Sequence, residues 1–89
     1  MTTSEEWEAA KLDHPVGAVL CGEVAAVRPF GMFVGIPGHA GVAAVVDAIS
    51  YYPDRDPVPP ELWPAVGETV EGVVSDHSEH NRQLKLRVG

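Results

Sequence analysis

Basic residues are scarce in this chain. Six Lys and Arg stand against thirteen Asp and Glu in 89 residues, for a net charge of −7. That balance excludes strong non-specific nucleic-acid affinity, which needs clustered cations to release counter-ions, and it repels phosphates at long range. Cysteine is nearly absent too. The single Cys21 excludes an internal disulfide framework and fits a reducing cytoplasm. Its neighbours Val19, Leu20, Val24 and Val27 give it the reading of a small core residue. Long apolar runs are missing: none approaches the roughly 20 residues needed to span a bilayer, so no membrane partner is expected. The opening Met1-Thr2-Thr3-Ser4-Glu5-Glu6 is acidic and has neither part of a secretory leader, so none is expected.

What charge there is lies unevenly. Residues 1–15 carry −3, from Glu5, Glu6, Glu8 and Asp13 against Lys11. Residues 41–67 also carry −3, from Asp47, Asp54, Asp56 and Glu61 against Arg55. The rest is nearly balanced, and any basic surface must come from Arg28, Arg82, Lys85 and Arg87.

The chain divides at Pro15 into a helical segment, 1–14, and one small domain, 15–89. Thr3 and Glu6 have capping-box spacing, and Glu5, Glu6 and Glu8 suit the positive end of a helix dipole. His14-Pro15 ends the helix, because the residue before a proline avoids helical angles. Trp7 and Ala10, with Ala9 and Leu12 beside them, form a narrow apolar stripe expected to pack on the domain.

From Val16 the pattern is that of strands. Val16–Val27 reads as a long curved strand and Phe30–Ile36 as a second, with a turn at Pro37-Gly38-His39-Ala40. Gly41–Val46 is a short third, followed by one helical turn over Asp47–Ser50. The stretch Tyr51–Pro60 is too proline-rich for a strand, and Glu61–Trp63 suits a second helical turn entered from Pro60. Thr69–Ser75 and Gln83–Val88 complete the set, joined by a hairpin loop over His77–Asn81. Five short strands with a long third-to-fourth connection predict an all-β, five-stranded Greek-key barrel, the OB-fold, preceded by a short helix.

Two of the few aromatics lie close together in Arg28-Pro29-Phe30-Gly31-Met32-Phe33-Val34. Strict alternation puts the two phenylalanines on opposite faces. A bulge at Gly31 is expected to restore both to one face, where paired rings form a platform for unpaired bases. The competing reading is that both fill the core. Tyr51, Tyr52 and Trp63 either pin the proline-rich loop or, if exposed, mark a partner site.

Other chemistries find little support. Asp76-His77-Ser78-Glu79-His80 has an H-x-x-H spacing, but a hairpin tip splays such ligands, so no metal is expected and the histidines read as exposed loop residues. Ser4, Ser50, Ser75 and Ser78 lack a nucleophile motif, and no Gly-rich phosphate loop or paired buried carboxylates are visible. Neither catalysis nor a cofactor is expected.

Laid out this way, residues 17–88 resemble the S1 RNA-binding domain. The resemblance is carried by Gly22-Glu23-Val24, Pro29-Phe30-Gly31-Met32-Phe33-Val34, Gly41-Val42, Val66-Gly67-Glu68-Thr69-Val70, Val73-Val74-Ser75-Asp76 and Arg82-Gln83-Leu84-Lys85-Leu86. It implies RNA contacts from Phe30, Phe33 and Asp76, with His77, Arg82 and Lys85 as further candidates near the last hairpin. The family's third-strand His falls at Ala44 and its final-hairpin Arg at Gln83, so two contacts depart from the pattern. Two functions follow. One is a free-standing RNA-binding module for single-stranded or structured RNA. The other is an acidic interaction module for a basic protein, such as a nuclease or a ribosomal component.

Overall fold

A computed structural model describes residues 4–52 and 58–89. Helix α1 covers Ser4–Asp13, and five strands follow: β1 Val19–Arg28, β2 Gly31–Ile36, β3 His39–Asp47, β4 Thr69–Ser78 and β5 Gln83–Arg87. Short 3-10 turns at Ala48–Ser50 and Pro60–Leu62 lie in the long connection. The expected cap Thr3 and the Pro53–Pro57 part of the loop lie outside the described residues. The strands close in the order β1-β2-β3-β5-β4, with β3 and β5 parallel and the other pairs antiparallel. This is the five-stranded OB-fold barrel.

Alternation supplies the core. Leu20 and Val24 of β1, Met32, Val34 and Ile36 of β2, Val42, Ala44 and Val46 of β3, Val70 and Val74 of β4, and Leu84 and Leu86 of β5 all point inward. Several sequence expectations need correction. The first strand begins at Val19, and both Val16 and Val19 are exposed. Cys21 faces solvent, where its thiol donates to Glu71 Oε2 at 3.5 Å, because the inward positions of β1 are its neighbours Leu20 and Gly22. The fourth strand runs on to Ser78, so His77 belongs to a strand and is half-buried, and the loop shrinks to residues 79–82.

The bulge is also displaced. Gly31 pairs without interruption, with Arg28 on one side and Asp47 on the other. A Cβ there would collide with the Val46 carbonyl, so this glycine permits close approach of β3. The extra residue is Ala25: the pairing slips between Val24–Val34 and Ala26–Phe33. A second slip, at Ser75, separates Val74–Leu86 from Asp76–Lys85. Each flips the alternation of its strand. Val24 and Val27 can then both face inward, while Ala26 and Arg28 turn outward with Asp76.

Helix α1 is fixed mainly by one side chain. Trp7 is 3% exposed and Ala10 is fully buried, whereas Leu12 is 82% exposed and takes no part in the expected stripe. Leu12 lies five residues from Trp7, on another side of the helix. Trp7 Nε1 donates to Glu79 Oε1 at 2.9 Å, and Lys11 Nζ meets Glu79 Oε2 at 2.7 Å and lies 5.2 Å from the Trp7 ring. Asp13 pairs with His39 at 2.7 Å across to β3.

The hydrogen bond from Lys11 holds the Glu79 carboxyl below its ordinary value of 4.5, with a smaller contribution from Trp7. A depressed carboxylate pKa stabilises the fold above the unfolded value, and that contribution is lost as pH falls through the folded one. Docking of α1 should therefore weaken as pH drops below about 4.5. Titration of tryptophan fluorescence checks this, and Glu79→Gln should remove that part of the acid dependence while leaving the neutral-pH spectrum nearly unchanged.

On the far side the aromatic loop is pinned. Trp63 is buried with its Nε1 donating to Val58 O at 3.0 Å, and Tyr51 meets Tyr52 and Trp63 edge-on at 4.8 and 6.1 Å. Val88 continues β5 through a bridge to Tyr51.

Candidate nucleic-acid interface

The outward residues of neighbouring strands line up in a belt. Ala26 pairs with Phe33, Phe33 with Val45, Val45 with Lys85, and Lys85 with Asp76. A second, shorter row runs Arg28, Gly31, Asp47. Both rows exist on one face because the slips at Ala25 and Ser75 bring β1 and β4 into phase with β2, β3 and β5.

Phe30 lies in the turn before β2, which frees it from strand alternation. Its ring meets that of Phe33 at 6.2 Å and 86°, on the same face. The pair is a corner, not a flat shelf: Phe30 is 59% exposed, while Phe33 is half-buried between Ala26 and Val45. Aromatic rings favour this edge-to-face contact, and it leaves Phe30 free to receive a further ring. The Phe30 carbonyl accepts from Ala48 N at 2.8 Å, which fixes the turn to the end of β3.

Charge around the corner is mixed. Lys85 Nζ approaches Asp47 Oδ2 at 3.5 Å, with side chains 32% and 39% exposed respectively. Asp76 is exposed beside Lys85, and its Oδ1 accepts from His77 N at 2.8 Å. Arg28 is exposed, donating from Nη1 to Val27 O at 3.2 Å.

Phe30, Phe33, Lys85 and Asp76 therefore share one face. Two other sequence candidates lie at the α1 end. Arg82 adopts a left-handed backbone (φ 51°) in the β4–β5 loop, and its Nη2 donates to Ser4 Oγ at 2.9 Å. His77 donates from Nε2 to His14 O at 2.9 Å and meets the Trp7 ring edge-on at 6.1 Å. Its reading as an exposed loop residue is thus replaced by a half-buried place beneath α1.

The position assigned to the family His also changes character. Ala44 is fully buried, so no side chain there reaches the surface. The residues of β3 on the outer side are Gly41, Ala43, Val45 and Asp47, of which Val45 is itself buried, at 5% exposure. Sequence reasoning missed Asp47 by ending β3 at Val46 and giving Asp47 to the helical turn. The odd-numbered alternation from Gly41 was the signal that places it beside the rings.

No family model and no curated protein matches the chain. Solved structures do match. An uncharacterised protein of Methanocaldococcus jannaschii is 15% identical, with 83% of this chain and 90% of that one covered and a TM-score of 0.65. A chain from the Pyrococcus horikoshii complex of a/eIF2alpha, aDim2p and rRNA is 15% identical, with 82% and 43% covered and a TM-score of 0.70. Mycoplasma genitalium RNase R, in complex with ribose-methylated single-stranded RNA, is 11% identical, with 96% and 15% covered and a TM-score of 0.67. The chain thus spans most of the first protein and less than half of the other two. At these identities the likeness is one of fold, the five-stranded OB barrel.

Proposed function

We propose that this barrel is a small, non-enzymatic RNA-binding module that prefers single strands and holds a base against the Phe30–Phe33 corner. The observation that carries this is the exposed Phe30 ring, packed edge-on to Phe33 amid mixed charge on one barrel face. Apolar rings left in solvent beside cations suit base stacking with backbone contacts, which is how single strands are bound without strict sequence readout. The shared fold with chains solved in RNA complexes supports the same reading.

Binding should be weak. Lys85 is partly neutralised by Asp47, and Arg82 is engaged with Ser4, so Arg28 and Lys85 are the main phosphate contacts near the rings. With two or three contacts, log affinity against log salt should fall with a slope of about −1.5 to −2. Affinity should be about micromolar or poorer. Fluorescence anisotropy with a labelled RNA oligomer across a salt series tests this, and the absence of any binding at low salt would sink it.

A second reading has its own observation. The opposite outer face, from β1 and β4, presents Val19, Cys21, Glu23, Thr69, Glu71 and Val73. The exposed Arg87 adjoins this face opposite Val73, but the face's own charges are the carboxylates of Glu23 and Glu71, which suit a basic protein partner. Capture of such a partner by the wild type but not by a Glu23→Lys/Glu71→Lys variant, without RNA binding by either, would install this reading instead.

A further inference from the structure

We propose that Asp47 and Lys85 together read the edge of the stacked base and make guanine the preferred one. This rests on the RNA-binding reading above and adds a base preference to it. Asp47 stands opposite Gly31, the residue between the exposed Phe30 and Met32, and diagonal to Phe33. Diagonal neighbours on one sheet face lie about 7–8 Å apart, within reach of a flat ligand resting on the ring. No phosphate is favoured there, because a carboxylate repels it. What a carboxylate does bind is N–H: it is acceptor-only, with two oxygens side by side.

Lys85 completes the pattern. Its ammonium is a donor 3.5 Å from Asp47 Oδ2, so the pair presents a donor beside two acceptors. The Watson–Crick edge of guanine has the complementary order: the O6 acceptor, then the N1–H and N2–H donors. Uracil fails at the third place, where its O2 carbonyl would face a carboxylate oxygen. Cytosine and adenine fail at the first two, since each begins with an amine donor followed by a ring-nitrogen acceptor. The ion pair thus has a positive use, beyond weakening a cation that also serves the backbone.

The test uses the intact chain and three labelled oligomers: all-uridine, the same with one central guanosine, and the same with inosine, which lacks the N2 amine. Guanosine should bind roughly five- to tenfold more tightly than uridine, the low end expected for a paired contact at a half-exposed site. Inosine should lose most of that gain. Asp47→Asn should abolish the guanosine preference, tighten the all-uridine complex and steepen its salt slope by less than the roughly 0.7 of a whole contact, as Lys85 no longer shares its charge between Asp47 and the phosphates. Equal affinity for guanosine and uridine, with Phe30→Ala still weakening both, would overturn this assignment and leave the aromatic corner standing. A preference that survives Asp47→Asn would overturn it as well. No binding of any oligomer would overturn the RNA reading and this one with it.

Discussion

Trp7→Ala should cost about 3–5 kcal/mol of stability, the loss expected when a large buried aromatic is truncated. Against the roughly 5–15 kcal/mol that holds a typical domain, that is a severe change. The reason lies in how little else secures α1. Of its ten residues, Trp7 and Ala10 are the buried ones, and an isolated helix of this length is marginal in water. Its other links to the barrel are polar and mostly exposed, such as Lys11–Glu79 and Asp13–His39. Exposed pairs of this kind contribute little singly. Without the indole, Lys11 also loses the ring it lies over.

Urea denaturation measures the effect, and the slope of the transition carries further information. If the truncated side chain leaves α1 undocked in the native state, less surface is exposed on unfolding and the slope falls with the midpoint. Trp7→Phe should recover most of the loss, since it restores apolar area and forfeits mainly the hydrogen bond to Glu79. Equal midpoints for Trp7→Ala and wild type would show that the helix adds nothing to the domain.

Much of this architecture was legible in the residues. Leu84, Leu86 and Val88 alternate with Gln83, Lys85 and Arg87 without interruption, and β5 follows that pattern into the core. Trp7 stood out as the helix anchor for the same reason: a large apolar side chain in a segment otherwise rich in Glu and Ala. Alternation misled where a strand changes phase. In β1, Val24 and Val27 are both apolar and three apart, which strict period two cannot place on one face. An inserted residue resolves this, but nothing in Val-Ala-Ala-Val announces which alanine it is.

The candidate site depended on those hidden slips. Asp76 keeps the parity of the inward Val70 and Val74, and only the slip at Ser75 brings it outside beside Lys85. Gly31 drew attention as a flexible glycine, whereas its place is set by the backbone of β3 pressing against it. The resemblance grouped Arg82 and His77 with the rings as RNA contacts, yet α1 holds both through Ser4 and His14. Those contacts join residues more than sixty positions apart, which no local pattern encodes.

The aromatic corner makes the sharpest functional prediction, because its two rings differ in burial. Phe30→Ala removes a ring that is 59% exposed, so stability should change by no more than about 0.5 kcal/mol, as for surface substitutions generally. Its cost in RNA affinity should be about 1–3 kcal/mol, the worth of one stacked base. Phe33→Ala should show both effects. Its half-buried ring fills the space between Ala26 and Val45, so stability should fall by about 1–2 kcal/mol, less than for a fully buried phenylalanine. Affinity should fall as well, because Phe33 sets the angle at which Phe30 is presented. Phe30→Leu separates the two roles: leucine keeps apolar bulk but has no flat face, so it should preserve stability and still lose most of the stacking. Denaturation run beside RNA titration on the three variants decides the matter. If Phe30→Ala destabilises the barrel strongly and leaves RNA affinity unchanged, the ring is a packing element, and the stacking role falls.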